Sequence, residues 1–205
     1  MKRSGLILLT GFAPFGGEKT NPSWEVAQAL DGYTVGAATV CAKRLPVNCT
    51  RAARAIAEEI EQLQPVAVLG LGQAGGRPAL SLEQIAINLF DPRRAHENDG
   101  GIDGNPVIAG GPDAYFSRLP LKAILQLLRR HKIPTGLSLS AGAYACNAVM
   151  YTALDTLRRR RSVPAGFIHL PYAVEQAIGK AAASMSLDLM VAGVKLALEA
   201  IIKRS

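Results

Sequence analysis

The spacing of hydrophobic positions changes several times along the chain, and each change marks an element. Gly5 to Thr10 is a short apolar run closed by a Gly/Pro-rich turn, the pattern of a buried strand. Asn21-Pro22-Ser23-Trp24-Glu25 then opens a helix, with Asn21 placed to cap it and Pro22 at its first position. Thr34 to Cys41 is β-branched and apolar, and Arg44 to Val47 prolongs the extended stretch. From Thr50 the period lengthens: Ala53, Ile56, Ile60 and Leu63 mark one face of an amphipathic helix. Pro65 stops it, and Val66 to Leu71 reads as a buried strand.

Gln73 to Arg77 is a loop and Gln84 to Phe90 a further strand. Residues 91–113 are rich in Gly, Pro, Asp and Asn and predict a long excursion holding a short hairpin. Leu121, Ile124, Leu125 and Leu128 mark a second helix, Thr135 to Leu139 a strand, and Ala145 to Leu157 a third helix. Gly166 to Leu170 is a strand, and Ser186 to Ile202 a terminal helix. Strands alternating with helices predict an α/β fold, helices covering both faces of a central, largely parallel sheet. No repeat or linker divides the 205 residues, so 1–205 are expected to form a single domain. Ligands in such folds bind where strands end and helices begin. Here those joints are Gly11–Asn21, Gly72–Gly76, Ser140–Cys146 and the segment after His169.

Composition narrows the class. With 49% apolar and 19% charged residues the chain can bury a core and is not disordered. No apolar run approaches the ~18 residues of a membrane span. The Met1–Thr10 start has too short an apolar run for a signal peptide, so a soluble cytoplasmic protein is expected, without a membrane partner. The net charge is +7, concentrated in Arg158 to Arg161 and in Arg129, Arg130 and Lys132. Both groups fall at the C-terminal ends of predicted helices, where cations complement the helix dipole. Aromatics are only 5% and no recognisable module accompanies the charge, so no nucleic-acid partner is expected. Cys41, Cys49 and Cys146 show neither a disulfide framework nor zinc-ligand spacing, and no metal site is expected.

Cys146 lies in Ser140-Ala141-Gly142-Ala143-Tyr144-Ala145-Cys146-Asn147, between a strand and a helix. A helix N-terminus lowers a thiol's pKa, and the backbone N–H groups of the same turn suit an oxyanion. The competing reading is a small buried hydrophobe. Cys41 in a strand and Cys49 at a helix start have no activating neighbours. His96 and His131 read as solvated, whereas His169 sits near the end of the apolar strand Gly166 to Leu170. It is either a neutral core histidine or a general base for Cys146. Glu83 borders an apolar strand and is either a surface glutamate or the carboxylate that orients the imidazole. Gly70, Gly72, Gly75 and Gly76 match neither a P-loop nor a dinucleotide fingerprint.

Taken together, these segments resemble pyroglutamyl-peptidase I (pyrrolidone-carboxylate peptidase), a cysteine-peptidase family. The resemblance runs through Leu8 to Gly17 with Asn21 to Glu25, Gly72 to Arg77, Glu83 to Asn88, Ser140 to Asn147 and Gly166 to Tyr172. Met185-Ser186 before the last helix also matches, and the blocks keep family order over nearly the whole chain. The resemblance implies a three-layer α/β/α sandwich with a twisted, largely parallel (mixed) sheet, and a triad on Cys146, His169 and Glu83. It implies hydrolysis of the amide bond after an N-terminal pyroglutamate through a thioester, with no cofactor. Phe12, Phe15, Asn21, Gln73, Tyr144 and Arg93 fall on substrate-binding positions, and a homo-oligomer, commonly a tetramer, is implied. A pyroglutamyl end is an uncharged lactam, so its pocket needs apolar walls plus a donor and an acceptor. Core packing is the other reading of Phe12 and Phe15.

The chain also departs from the family. It has Ala13 where an acidic residue is usual and Gln84 where Arg is usual. Asp91 to Gly100 resembles the pocket-closing segment only loosely, with Arg94 where an apolar wall residue is expected and Asn48-Cys49 also unusual. These departures keep open a related amidase or peptidase with a different acyl group. The charge keeps open a basic binding module for an acidic partner.

Overall fold

The first strand, β1 (Gly5–Phe12), shows how the layers form. Its side chains alternate: Ile7 and Leu9 enter one apolar cluster, Leu8 and Phe12 another on the opposite face. The structure, a computed structural model, describes residues 5–91 and 105–203. After β1 come α1 (Pro22–Ala29), β2 (Thr34–Val35), β3 (Ala38–Leu45), α2 (Cys49–Leu63) and β4 (Ala67–Gln73). Next are β5 (Leu80–Glu83), β6 (Ile85–Ile87), β7 (Ala114–Phe116), α3 (Leu121–Arg130), β8 (Thr135–Ser138) and α4 (Ala145–Thr156). The chain closes with β9 (Ala165–Leu170), β10 (Tyr172–Ala173), α5 (Val174–Ala177), β11 (Ser184–Met185) and α6 (Leu187–Lys203).

Seven strands form the main sheet in the order β2-β3-β1-β4-β9-β5-β8. β3, β1, β4 and β9 are parallel; β2 pairs antiparallel with β3, and β5 antiparallel with β9 but parallel with β8. Apolar residues of α1, α3 and α6 fill the cluster on one face, and those of α2 and α4 the cluster on the other. The expected three-layer α/β/α sandwich with a mixed sheet is the observed one. Asn21 caps α1 by accepting from the Ser23 N–H at 3.0 Å, and Asn48 caps α2 by accepting from Arg51 at 3.0 Å. Among the described residues no helix is long and apolar enough to cross a membrane.

Two strand expectations are corrected. The Thr34–Cys41 stretch is two strands, since Gly36 and Ala37 turn the chain back on itself. The strand expected over 84–90 is displaced and divided. Leu80–Glu83 enters the main sheet as β5, while Ile85–Ile87 leaves it to pair antiparallel with β7. Most of the expected 91–113 excursion, including any hairpin within 92–104, lies outside the described residues. Residues 105–113 hold no strand.

Packing on the α4 side is tight enough to dictate residue size. A Cβ added at Gly70 in β4 would lie 2.4 Å from Phe167 Cδ2, whereas one at Gly136 in β8 meets no described atom within 4 Å. Gly70→Ala is therefore expected to destabilise the protein by about 1–3 kcal/mol through overpacking. Gly136→Ala should stay within about 0.5 kcal/mol of wild type. Urea titration of the two variants checks the contrast; equal midpoints would refute it.

Candidate active site

Strand alternation sets the site. In β9, Ile168 and Leu170 turn to one cluster and Phe167 to the other, so His169 shares the α4 side with Phe167, their rings 5.0 Å apart. In the neighbouring β4, Gly70 stands beside Phe167 and Gly72 beside His169. A Cβ on Gly72 would lie 2.7 Å from the Cys146 sulfur and 2.9 Å from the Phe167 ring. The bare Gly72 backbone lets the thiol settle against the sheet beside the imidazole.

Cys146 is the second residue of α4. Tyr144 precedes the helix in extended conformation and offers no side-chain cap, and the first helical hydrogen bond is Ala148 N–H to Tyr144 O at 2.8 Å. The N–H groups of Ala145, Cys146 and Asn147 therefore precede the helical ladder. Asn147 anchors this end of the helix: its amide donates to Ile87 O at 2.8 Å and accepts from Ile87 N at 2.9 Å.

Glu83, at the end of β5, has no solvent exposure. Its Oε1 lies 2.8 Å from His169 Nδ1 and 2.7 Å from Arg77 Nη1. Burial alone would push this carboxyl up. Its bond to His169 and that residue's charge, with Ser138 and Arg77, outweigh burial and hold it below the usual carboxylate range. Burial pushes the His169 imidazole below its ordinary 6.5, opposed by Glu83 and reinforced by Arg77. The imidazole is thus neutral near pH 7. Its Nδ1–H donates to the carboxylate, so Nε2 carries the lone pair. Burial, followed by the nearby Glu83 and Cys49, pushes the Cys146 thiol up to about 12, with Arg77 and the residue's own backbone N–H pulling the other way. Burial outweighs the lowering that a helix N-terminus was expected to give.

A cavity of about 820 Å³ brings Cys146 and His169 together with Phe12, Phe15, Asn21, Gln73 and Tyr144. Phe12 is buried and Phe15 is 40% exposed at the rim. Gln73 Oε1 accepts from Gln176 Nε2 at 3.0 Å, leaving its own amide N–H groups for the cavity. Asn21 has less to offer. Its Oδ1 accepts from the Ser23 N–H and hydroxyl, and its Nδ2 donates to Ala13 O at 3.0 Å. One N–H of its amide remains. Arg93 lies outside the described residues, as do Arg94 and His96. Among the described residues no cluster of His, Cys, Asp and Glu could hold a metal ion.

Comparison with known proteins gives the family. A family model described as pyroglutamyl peptidase matches residues 5–204. The chain belongs to the pyroglutamyl peptidase family. A pyrrolidone-carboxylate peptidase of Chromobacterium violaceum is 46% identical over 194 residues, covering 94% of this chain and 90% of that protein. One from Bacillus mycoides is 40% identical over 195 residues, covering 94% and 91%. The crystal structure of pyroglutamyl peptidase I from Bacillus amyloliquefaciens superposes with a TM-score of 0.91 at 36% identity, over 97% of both chains. A mutant pyrrolidone carboxyl peptidase from Pyrococcus furiosus also gives 0.91, at 38% identity, over 97% and 99%.

The structure adds residues that sequence reasoning passed over. Arg77 was part of a matching block without a role, yet it reaches Glu83. Gly70 and Gly72 carried no phosphate signal because their task is steric. Asn147, beside Cys146, had no visible partner until β6 was placed. The resting pair is a neutral thiol and a neutral imidazole. Difference absorbance near 240 nm between wild type and Cys146→Ser at pH 7 is therefore expected to show no thiolate; a full thiolate band would overturn this ground state.

Proposed function

We propose that this chain hydrolyses the amide bond after an N-terminal pyroglutamate, with Cys146 as nucleophile, His169 as general base and acid, and Glu83 as the group that orients the imidazole. It is a cysteine-type hydrolase by family. The carrying observation is the buried 2.8 Å contact between His169 Nδ1 and Glu83 Oε1, with the imidazole lining the same cavity as the thiol. That contact fixes the tautomer whose free Nε2 can accept a proton.

In this reading the thiol proton passes to Nε2 as sulfur attacks the carbonyl carbon. The oxyanion forms against the free N–H groups at the start of α4, where positive dipole ends stabilise it. The imidazolium then protonates the departing amine, leaving a pyroglutamyl thioester. Water gives a proton to Nε2 and its oxygen attacks the thioester; that proton returns to sulfur as the C–S bond breaks, and pyroglutamic acid leaves, losing its remaining acidic proton to solvent. Deprotonation and attack are concerted because neither resting group is charged. Phe12 and Tyr144 wall the lactam, and the Gln73 amide donates to its carbonyl. Phe15 covers it from the rim. Asn21 borders the ring and holds the Ala13 turn, and Arg93 is assigned to substrate binding by resemblance alone.

The same reading places the chain in the cytoplasm as one catalytic domain over 1–205, acting as a homo-oligomer with a tetramer as the implied size. Exposed Leu137 on the edge strand β8, Leu139 just beyond it and Phe116 on β7 supply apolar surface for a second copy. Light scattering during size-exclusion chromatography is expected to give a multiple of the monomer mass; a monomer at micromolar concentration would refute self-association.

Activity is tested with a fluorogenic pyroglutamyl amide, with prolyl and alanyl amides as controls. Wild type should release fluorophore from the pyroglutamyl amide alone and Cys146→Ser should be inert. Glu83→Gln should lose about 10²–10⁴-fold in kcat, the range of a disabled general base. Neutral His169 is the active form and its pKa is lowered, so kcat/KM should persist below pH 6.5 and fall only as pH drops through the folded value. An inert wild type would overturn the reading.

A further inference from the structure

Arg77 borders the cavity and is joined to the imidazole through Glu83. Ala74 to Arg77 is a tight turn after β4, closed by Arg77 N–H to Ala74 O at 3.3 Å. Gly76 takes φ +85°, and a Cβ on Gly75 would lie 2.1 Å from the Tyr172 ring. A chain of larger residues could not follow this path. The turn returns the Arg77 side chain to Glu83, where Nη1 shares Oε1 with His169 Nδ1, at 2.7 and 2.8 Å. Glu83 carries no exposure, so these two donors face a charge that water cannot solvate.

We propose that Arg77 is a positioning residue: its guanidinium anchors Glu83 Oε1 against His169, so that the carboxylate is shared between the two rather than given wholly to the imidazole. The inference rests on the catalytic reading above. Among the described residues, Glu83 from β5 bonds His169, Arg77 from the turn after β4 acts on its charge, and Cys146 from α4 shares its cavity along with Glu18, Tyr144 and Tyr172. Glu83 favours imidazolium, so Oε1 bound to histidine alone would tend to trap the proton there. Arg77 offsets that pull in two ways. It shares the carboxylate oxygen, and its charge disfavours a second positive charge nearby. The same charge favours thiolate at Cys146 as attack begins. Arg77 thus biases the proton away from imidazole and toward the leaving amine.

Three substitutions separate charge from hydrogen bonding. Arg77→Met removes both, Arg77→Gln keeps a donor for Oε1 without charge, and Arg77→Lys keeps the charge. Arg77→Met is expected to lower kcat about tenfold, short of the ~10²–10⁴-fold cost of losing a general base, with KM for a pyroglutamyl amide little changed. Its acid limb of kcat/KM should move to higher pH, and so should the His169 titration read by NMR of labelled histidine. Arg77→Gln should show the same shift with most of kcat kept, and Arg77→Lys should return the titration toward wild type. Thermal unfolding confirms that each variant is folded; should Arg77→Met fail to fold, the Gln and Lys pair still decides the point. An unmoved His169 titration in the uncharged variants, or a change in KM alone, would overturn the inference. The titration needs no turnover, so an inert wild type with a shifted variant would overturn the peptidase reading instead.

Discussion

Glu83 brings a carboxylate to a place that water does not reach, and much of the surrounding architecture exists to compensate it. An unpaired charge in such a position would cost more than the whole net stability of a domain this size. Compensation comes from His169 on β9 and from Arg77 on the turn after β4, so three separate parts of the chain must meet at one oxygen. That requirement explains the irregular half of the sheet. β5 must lie antiparallel beside β9 for its last residue to face the imidazole, and β8 then follows β5 rather than β9. The chain leaves the sheet immediately after Glu83, which frees β6 to receive Asn147 and fix the start of α4. A single buried contact thereby ties the position of the base to the position of the thiol.

Sterics complete what electrostatics begins. Helix α4 can approach the sheet closely because β4 presents Gly70 and Gly72 where its neighbours present side chains. Close approach leaves the thiol half-buried at the cavity floor, and that burial pushes its pKa up to about 12. A protonated thiol is a weak nucleophile, and it acquires its charge as bond formation stabilises it. The fixed dipoles at the start of α4 act at that moment without reorganising, which is where preorganisation contributes most.

The α/β class, the helix cap at Asn21 and the faces of the helices were legible because period and capping chemistry are local, whereas the Asn48 cap of α2 was not read. β5 was not. Four residues after a Gly/Pro-rich turn give too short an alternation, and its place between β9 and β8 depends on the buried charge it carries. Of the site, Cys146, His169 and Glu83 could be nominated from position along strands and helices, whereas their meeting is a property of sheet order. Asn21 was legible twice over, as cap and as pocket residue; the structure shows that capping consumes most of its amide. Arg77 was invisible as an actor because a charged residue in a glycine-rich loop looks solvated until its partner is located.

The electrical state of the cavity also bears on which peptide ends it admits. A free amino terminus, prolyl included, arrives as an ammonium and needs an unengaged carboxylate to offset its desolvation. Glu83 is occupied by His169 and Arg77, and Glu18 at the cavity rim is held by Lys180. Arg77 adds a positive charge to the same wall. Among the described residues an ammonium would thus meet repulsion and no exposed, unpaired carboxylate in this part of the site. A lactam meets aromatic walls and the amide of Gln73, which suits a neutral ring with a carbonyl to satisfy. The burial and pairing that keep the imidazole neutral therefore also select an uncharged acyl group. Chemistry and specificity here share one electrostatic origin.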